Sequence, residues 1–157
     1  MAAEYSNNAV QTVNPGETVI FTEDTIPCVR GFVRHRPGTG NFLLSGWLPQ
    51  RKNKCCCCRP NKATYKTDFG ANIAIPTGGT VGEISVAITL DGATLPATIM
   101  RVTPAAVEEY FNVSRATNVP IFRGCCETLA IRNTSDQPIL VQNANIVFSR
   151  EDLNVTY

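Results

Sequence analysis

The residues of this chain with the most distinctive chemistry are its seven cysteines. They are Cys28, Cys55, Cys56, Cys57, Cys58, Cys125 and Cys126. Zinc is usually bound by thiolates that converge on a tetrahedron from separated Cys-x-x-Cys turns. Consecutive side chains diverge, especially in extended backbone, so the run at 55–58 encloses a single ion poorly. The sequence therefore favours no metal site, with this run as the only metal candidate, and it indicates no cofactor.

Disulfide cross-linking is the use of these cysteines that the sequence favours. We expect some of residues 55–58 to pair with Cys28, Cys125 or Cys126, and the odd total leaves at least one thiol free or bonded to another chain. Cys125 has the strand parity of Leu129, which predicts that Cys125 points inward and Cys126 outward. Cys126 is then the candidate for an intermolecular bond. In the alternative interpretation, Cys125 and Cys126 are buried small hydrophobic residues and the thiols at 55–58 stay reduced.

A basic segment surrounds the cysteine run. Residues 49–62 contain almost no apolar residue that would anchor them in a core, which predicts an exposed loop. The basic residues in and after this loop are Arg51, Lys52, Lys54, Arg59, Lys62 and Lys66. They can bind phosphate, but Tyr65 is the only aromatic residue among them, so stacking on nucleic-acid bases is poorly supported. We predict a solvated loop and no specific nucleic-acid partner.

Enzyme signatures are absent from the sequence. The single histidine, His35, lies between Arg34 and Arg36 in a polar turn region, which is typical of a surface residue. Residues 76–80 are rich in glycine but lack the Gly-Lys-Ser/Thr ending of a phosphate loop, and they precede a strand rather than a helix. We therefore predict no enzymatic activity.

The elements that position these residues are organised around a predicted β-hairpin. Over residues 84–90, apolar residues alternate with Ser, Ala and Thr, which is the period-two pattern of a strand. Asp91 and Gly92 follow, and both tolerate the positive φ that a type I′ turn needs. Pro96 cannot donate to a ladder, so the returning strand is either an edge or broken at that point.

Short β-patterned runs separated by Gly, Pro and Asn fill the rest of the chain. Residues 103–109 carry the only convincing helical signal, with Thr103 as N-cap and Pro104 at the first helical position. Between residues 139 and 148 the apolar parity shifts, which predicts a bulge near 142–145. Many short strands with one short helical turn predict an antiparallel β-sandwich.

Residues 1–16 are predicted to form an arm outside the single domain of residues 17–157. The first eight residues are small and polar, and a strand-like segment follows them. Its residues, which are the candidates for self-association, are Ala9, Val10, Gln11, Thr12 and Val13. Such a segment can add as a donor strand to the open sheet edge of a neighbouring subunit.

Composition restricts the class of protein further. A chain of 157 residues can bury a core without metal or disulfides, and 43% hydrophobic against 17% charged residues exclude an extended disordered protein. The net charge of +1 gives no global attraction to nucleic acid or to an anionic membrane. No apolar run approaches the roughly 20 residues that span a bilayer, so no membrane insertion is predicted. The N-terminus lacks the pattern of a signal peptide, and we expect synthesis in a cytosol.

Two segments resemble a known family. Residues 82–100 (GEISVAITLDGATLPATIM) and 127–151 (ETLAIRNTSDQPILVQNANIVFSRE) are similar to the tumour necrosis factor-like jelly rolls of bacterial exosporium collagen-like glycoproteins and of phage fibres. The resemblance implies an all-β, antiparallel jelly-roll sandwich, here with one short helical turn. It also implies compact trimers in which apolar edges of the sandwiches are buried at a threefold axis.

These observations predict a structural subunit whose main partner is itself, as a trimer or a filament. The preferred interpretation is a bacterial spore- or cell-surface fibre or layer stabilised by disulfides. A phage decoration or head-fibre protein, and a trimeric module that binds a surface glycan, are the alternatives. In each case we expect an extracellular location, on a spore, cell or virion, that is reached after cytosolic synthesis.

Overall fold

The computed structural model describes residues 2–48 and 61–150. Within them the chain forms strands and a single 3₁₀ turn, Pro96–Thr98. The strands are β1 (Ala2–Asn7), β2 (Gln11–Val13), β3 (Glu23–Ile26), β4 (Val33–His35), β5 (Phe42–Gly46), β6 (Lys62–Ala74), β7 (Ile84–Leu90), β8 (Ala93–Thr94), β9 (Met100–Val102), β10 (Phe111–Phe122), β11 (Gly124–Asn133) and β12 (Ile139–Ser149).

These strands form two antiparallel sheets. The first has the order β10-β6-β12-β1-β3, with β2 also paired to β12, and the second has the order β4-β5-β11-β7-β8, with β9 also paired to β7. Strands that are distant in sequence therefore lie side by side, and the chain crosses repeatedly between the sheets. The architecture confirms the predicted all-β, antiparallel jelly-roll sandwich.

The core lies between the sheets and is filled by alternate residues of each strand. Along β6, exposed and buried side chains alternate from Lys62 to Phe69, as expected for a strand with one face toward a core. Phe148 of the first sheet contacts Phe42 of the second, with ring centroids 5.1 Å apart. Both rings are fully buried, so this contact joins the two layers.

The predicted hairpin is confirmed. Asp91 and Gly92 have φ values of 49° and 83°, and Leu90 pairs with Ala93 across the turn. The returning strand is broken by the 3₁₀ turn that begins at Pro96, and the chain then pairs with β7 again as β9. The bulge expected near 142–145 is also present, because the register of β12 against β6 shifts between Gln142 and Asn145.

The helix predicted at 103–109 is wrong, and the one helical turn among the described residues is the 3₁₀ turn at Pro96–Thr98. Glu109 Oε2 accepts hydrogen bonds from the N–H groups of Ala105 and Ala106, each 3.1 Å long. Glu108 has a φ of 56°, and its N–H donates to the carbonyl of Ile75 at 2.7 Å. The N–H groups of this turn are thus bonded to a side chain and to the carbonyl of the residue that follows β6, and helix propagation stops.

The predicted N-terminal arm is also wrong over the described residues. β1 lies inside the first sheet, paired with β12 on one side and β3 on the other, and Tyr5 is buried in the core. β2 pairs with Ile139–Val141 of β12 in the same chain, with Val13 buried. Donation of this strand to a neighbour would have to displace an existing pairing, and the segment is therefore no free donor.

Candidate functional site

An open cavity of about 400 Å³ lies at one end of the sandwich, where β5 ends and β10 passes into β11. We call it the Trp47 cavity. Its lining residues are Ser45, Trp47, Leu48, Arg123, Gly124 and Cys125. Trp47 and Arg123 supply an aromatic face and a cation, which are groups that bind ligands rather than groups that transfer protons.

Trp47 is fixed on one side and open on the other. Its backbone N–H donates to Ser45 Oγ at 3.2 Å, and its ring packs against Phe32 with centroids 5.7 Å apart. The side chain nevertheless stays 53% exposed. About half of the Trp47 side chain is therefore presented to solvent on a residue that Ser45 and Phe32 hold in place.

A buried arginine supports this end of the core. Arg150 is 0% exposed, and its guanidinium carbon lies 5.1 Å from the ring centroids of both Phe32 and Tyr65. Its Nη1 donates to the Tyr65 hydroxyl at 3.4 Å, and that hydroxyl donates to the Ser45 carbonyl at 2.6 Å. Burial raises the pKa of Tyr65, and the nearby Arg150 opposes this rise. This network holds the end of β5 rigidly beneath Trp47.

Glycines allow the strands around the cavity to approach closely. A Cβ at Gly46 would overlap the carbonyl oxygen of Phe122, so only glycine fits at this point of β5. Gly124, at the start of β11, has a φ of 123°. Between Gly124 and Glu127, β11 has one residue more than the facing segment of β5, which runs from Gly46 to Leu44. This extra residue is a β-bulge.

The bulge explains why the predicted orientation of two cysteines is wrong. Cys125 is exposed and Cys126 is partly buried, the reverse of the parity extrapolated from Leu129. Their sulfur atoms are bonded to each other, so neither is bonded to a third cysteine of the chain or to a second chain. Cys28 packs, partly buried, against the core in the connection between β3 and β4.

The remaining cysteine predictions lie outside the described residues. These residues are Cys55, Cys56, Cys57 and Cys58, together with all of the basic loop except Asn61 and Lys62. Within 2–48 and 61–150, no group of three or more His, Cys, Asp or Glu side chains is arranged to hold a metal ion. Tyr65, the aromatic residue considered for base stacking, is buried.

A second surface follows the edge strand β10. We define the β10 surface as the outward side chains of this strand: Asn112, Ser114, Ala116, Asn118, Pro120 and Phe122. Phe122 is 60% exposed, and Lys62 Nζ lies 4.7 Å from its ring centroid. β10 is 12 residues long and pairs with β6 on one side only among the described strands. An edge of this length that carries an exposed aromatic ring is suited to a protein contact.

His35 is not the surface residue that its arginine neighbours suggested. Its side chain is 0% exposed and stacks on Phe42 with ring centroids 4.5 Å apart. Nδ1 lies 3.0 Å from Asp24 Oδ1, and Nε2 lies 2.9 Å from the carbonyl of Thr39. This arrangement ties β3 of one sheet to β4 of the other and brings no nucleophile to the ring, so its role is structural.

Sequence reasoning missed the Trp47 cavity because its two main residues come from segments 76 positions apart. A weaker signal for the β10 surface was available. Val119 and Ile121 share a parity that is typical of a core face, and this parity places Phe122 on the outward face. A large aromatic residue on that face is the unusual feature.

Among the described residues, no helix is long and apolar enough to span a membrane. No protein-family model matches the chain. No curated protein matches its sequence either.

Solved structures do match. The globular domain of zebrafish complement 1qA protein is similar to this chain with a TM-score of 0.55 and 11% sequence identity, over 94% of this chain and 92% of that one. Eiger TNF from S. frugiperda is similar with a TM-score of 0.60 and 13% identity, over 96% of this chain and 91% of that one. At such identities the likeness concerns the fold. The chain therefore has the jelly-roll fold of the C1q and tumour necrosis factor-like domains.

Proposed function

We propose that this protein is a structural subunit that associates with copies of itself through the β10 surface. The observation that carries the proposal is the long edge strand β10, which has an unpaired edge among the described strands and the exposed ring of Phe122 at its end. An edge of this kind is usually covered by another element or another chain. A second copy of the chain would remove this edge and ring from water.

The chemistry of the β10 surface fits contact between identical chains. Its outward side chains are short or uncharged between Asn112 and Pro120, so two copies can approach closely. The adjacent strand β6 offers Lys66 and Asp68, which are exposed and opposite in charge. Complementary charges on one surface can pair across a symmetric or cyclic interface.

The fold supports the same role. Domains of the C1q and tumour necrosis factor type are trimeric modules, and a closed trimer is the assembly that we propose first. A filament is the alternative, and the two differ only in whether the rotation at the interface closes. The single histidine of the chain is used to join the sheets through its contact with Asp24.

We further propose that the assembly is a bacterial spore- or cell-surface fibre or layer that is cross-linked by disulfides. A cysteine count of seven suits a long-lived object in an oxidising exterior. A phage decoration protein must also persist in an oxidising exterior, and it is the second candidate. Electron microscopy with and without reductant separates a cross-linked fibre, which shortens on reduction, from discrete particles that do not respond.

The β10 surface is tested by two substitutions and a matched control. Phe122→Glu and Ala116→Arg place charges on outward side chains and leave the core untouched. Val29→Glu adds a charge at a residue that is 92% exposed near β3, the opposite edge of the same sheet. We expect size-exclusion chromatography with light scattering to show smaller species for the two β10 variants only. Equal assembly of all three variants would exclude this surface.

A further inference from the structure

We propose that the Trp47 cavity binds a glycan residue that carries a carboxylate, such as a hexuronic acid. The indole of Trp47 would receive one face of the sugar ring, and Arg123 would bind the carboxylate. This role goes beyond self-association and does not depend on it.

The size of the cavity suits one sugar unit. Its volume of about 400 Å³ lies in the range of roughly 300–1,000 Å³ that is typical of small-ligand sites. The cavity is open at the surface, so a sugar within a longer chain can enter without its neighbours being buried. It is too small for a folded partner.

The aromatic face of Trp47 is suited to a pyranose ring. The C–H bonds on one face of a sugar carry partial positive charge, and the face of an indole is its negative side. Phe32 packs against the indole with ring centroids 5.7 Å apart, and 53% of Trp47 remains exposed and available to a ligand. Ser45, also in the lining, supplies a hydroxyl group for the hydroxyls of a sugar.

The charge of the cavity selects an anion. Arg123 is exposed, is the only charged residue among the described lining residues, and presents a planar guanidinium that matches a carboxylate. The backbone N–H of Arg123 donates to the Asn61 carbonyl at 2.8 Å, which fixes the start of its side chain.

Contacts within the chain hold the framework of the site. The Arg150–Tyr65–Ser45 network holds the end of β5, and the contact of Gly46 with Phe122 fixes the distance between β5 and β10. Binding therefore orders few side chains, which keeps the entropic cost of association small.

The experiment uses the single tryptophan of the chain as its reporter. We would titrate the full-length protein with oligogalacturonate and follow tryptophan fluorescence at constant ionic strength. The comparison ligands are a neutral galactose oligomer and inorganic phosphate. We expect a saturable change with oligogalacturonate and a clearly weaker response to both comparison ligands.

Two variants locate the binding. Arg123→Gln should weaken oligogalacturonate binding by about tenfold, the loss expected for one charge-assisted hydrogen-bonding group. Arg101→Gln, at a 59% exposed residue on β9, is the matched control and should leave affinity unchanged. No saturable response would overturn the proposal. An equal response to neutral oligomer or phosphate, or an Arg123→Gln variant that binds like the control, would overturn it too.

Discussion

His35 shows how much of this fold depends on single polar contacts. The carbonyl oxygen of Thr39 only accepts hydrogen bonds, so Nε2 must carry a proton. Nδ1 faces the Asp24 carboxyl at 3.0 Å, and that contact needs a proton on either the ring or the carboxyl. One buried ring thus joins the two sheets through its contact with Asp24, and the Thr39 carbonyl and the stacked Phe42 hold the ring in place.

Replacing this ring should therefore destabilise the folded protein. We expect His35→Ala to lower the free energy of unfolding by about 2–4 kcal/mol, because it leaves a cavity beside Phe42 and removes both hydrogen bonds. Arg34→Ala, at the exposed neighbouring position, should change it by no more than about 0.5 kcal/mol. Urea denaturation measures both. Equal effects of the two substitutions would show that the contact is not structural.

Tyr5 gives the fold a measurable pH dependence. Burial raises the pKa of the Tyr5 hydroxyl from 10.0 to about 12, and the nearby Cys28 and Asp24 add to the rise. Above pH 10 the unfolded chain loses this proton while the folded chain keeps it. The stability that this group contributes is complete below pH 10 and is lost as the pH rises toward 12.

Tyr5→Phe isolates this effect. We expect the stability advantage of the parent protein over Tyr5→Phe to shrink between pH 10 and pH 12, since phenylalanine cannot ionise. The comparison cancels the contributions of other groups, including Tyr65. Thermal denaturation across this range is the measurement, and a constant difference between the proteins would contradict the assigned environment of Tyr5.

At the scale of elements, the β7–β8 hairpin depends on its turn. Asp91 Oδ1 accepts the N–H of Thr128 at 2.8 Å, and Asp91 N–H donates to the Thr128 carbonyl at 2.8 Å, so the turn is also attached to β11. The positive φ of Gly92 is unfavourable for any side chain.

Gly92→Ala should consequently destabilise the protein by about 1 kcal/mol or more. Gly82 is the matched control, because its φ is not in the left-handed region and a Cβ there meets no atom within 4 Å. Gly82→Ala should be neutral or slightly stabilising. Chemical denaturation of the two variants gives the comparison, and a neutral Gly92→Ala would argue against the type I′ turn.

Some of these elements could be predicted from the sequence, and others could not. The hairpin at Asp91 and the bulge near Asn145 were predictable because their signals lie within a few residues of each other. The place of β1 was not, because its pairing with β12 joins residues about 140 positions apart. Cys126 was misplaced because one extra residue in the bulge reverses side-chain parity.

At the scale of the whole molecule, the two sheets enclose one core and leave β10 as a long edge strand. Aromatic contacts such as Phe42 with Phe148 close the core, while β10 keeps one unpaired side among the described strands. A single copy in solution would leave this long edge exposed to water, where it could pair with the strands of other chains. In the assembly that we propose, β10 would be covered, and the Trp47 cavity would lie beside the end of the interface at Phe122, where repeated copies would give avidity for a glycan chain.

The most direct test of self-association is the mass of the native protein in solution. Sedimentation equilibrium of the unmodified chain, with and without reductant, measures it. We predict a mass that is a multiple of the 17.1 kDa chain, with a trimer as the first expectation. A mass of 17.1 kDa over the whole concentration range, in both conditions, would contradict the account.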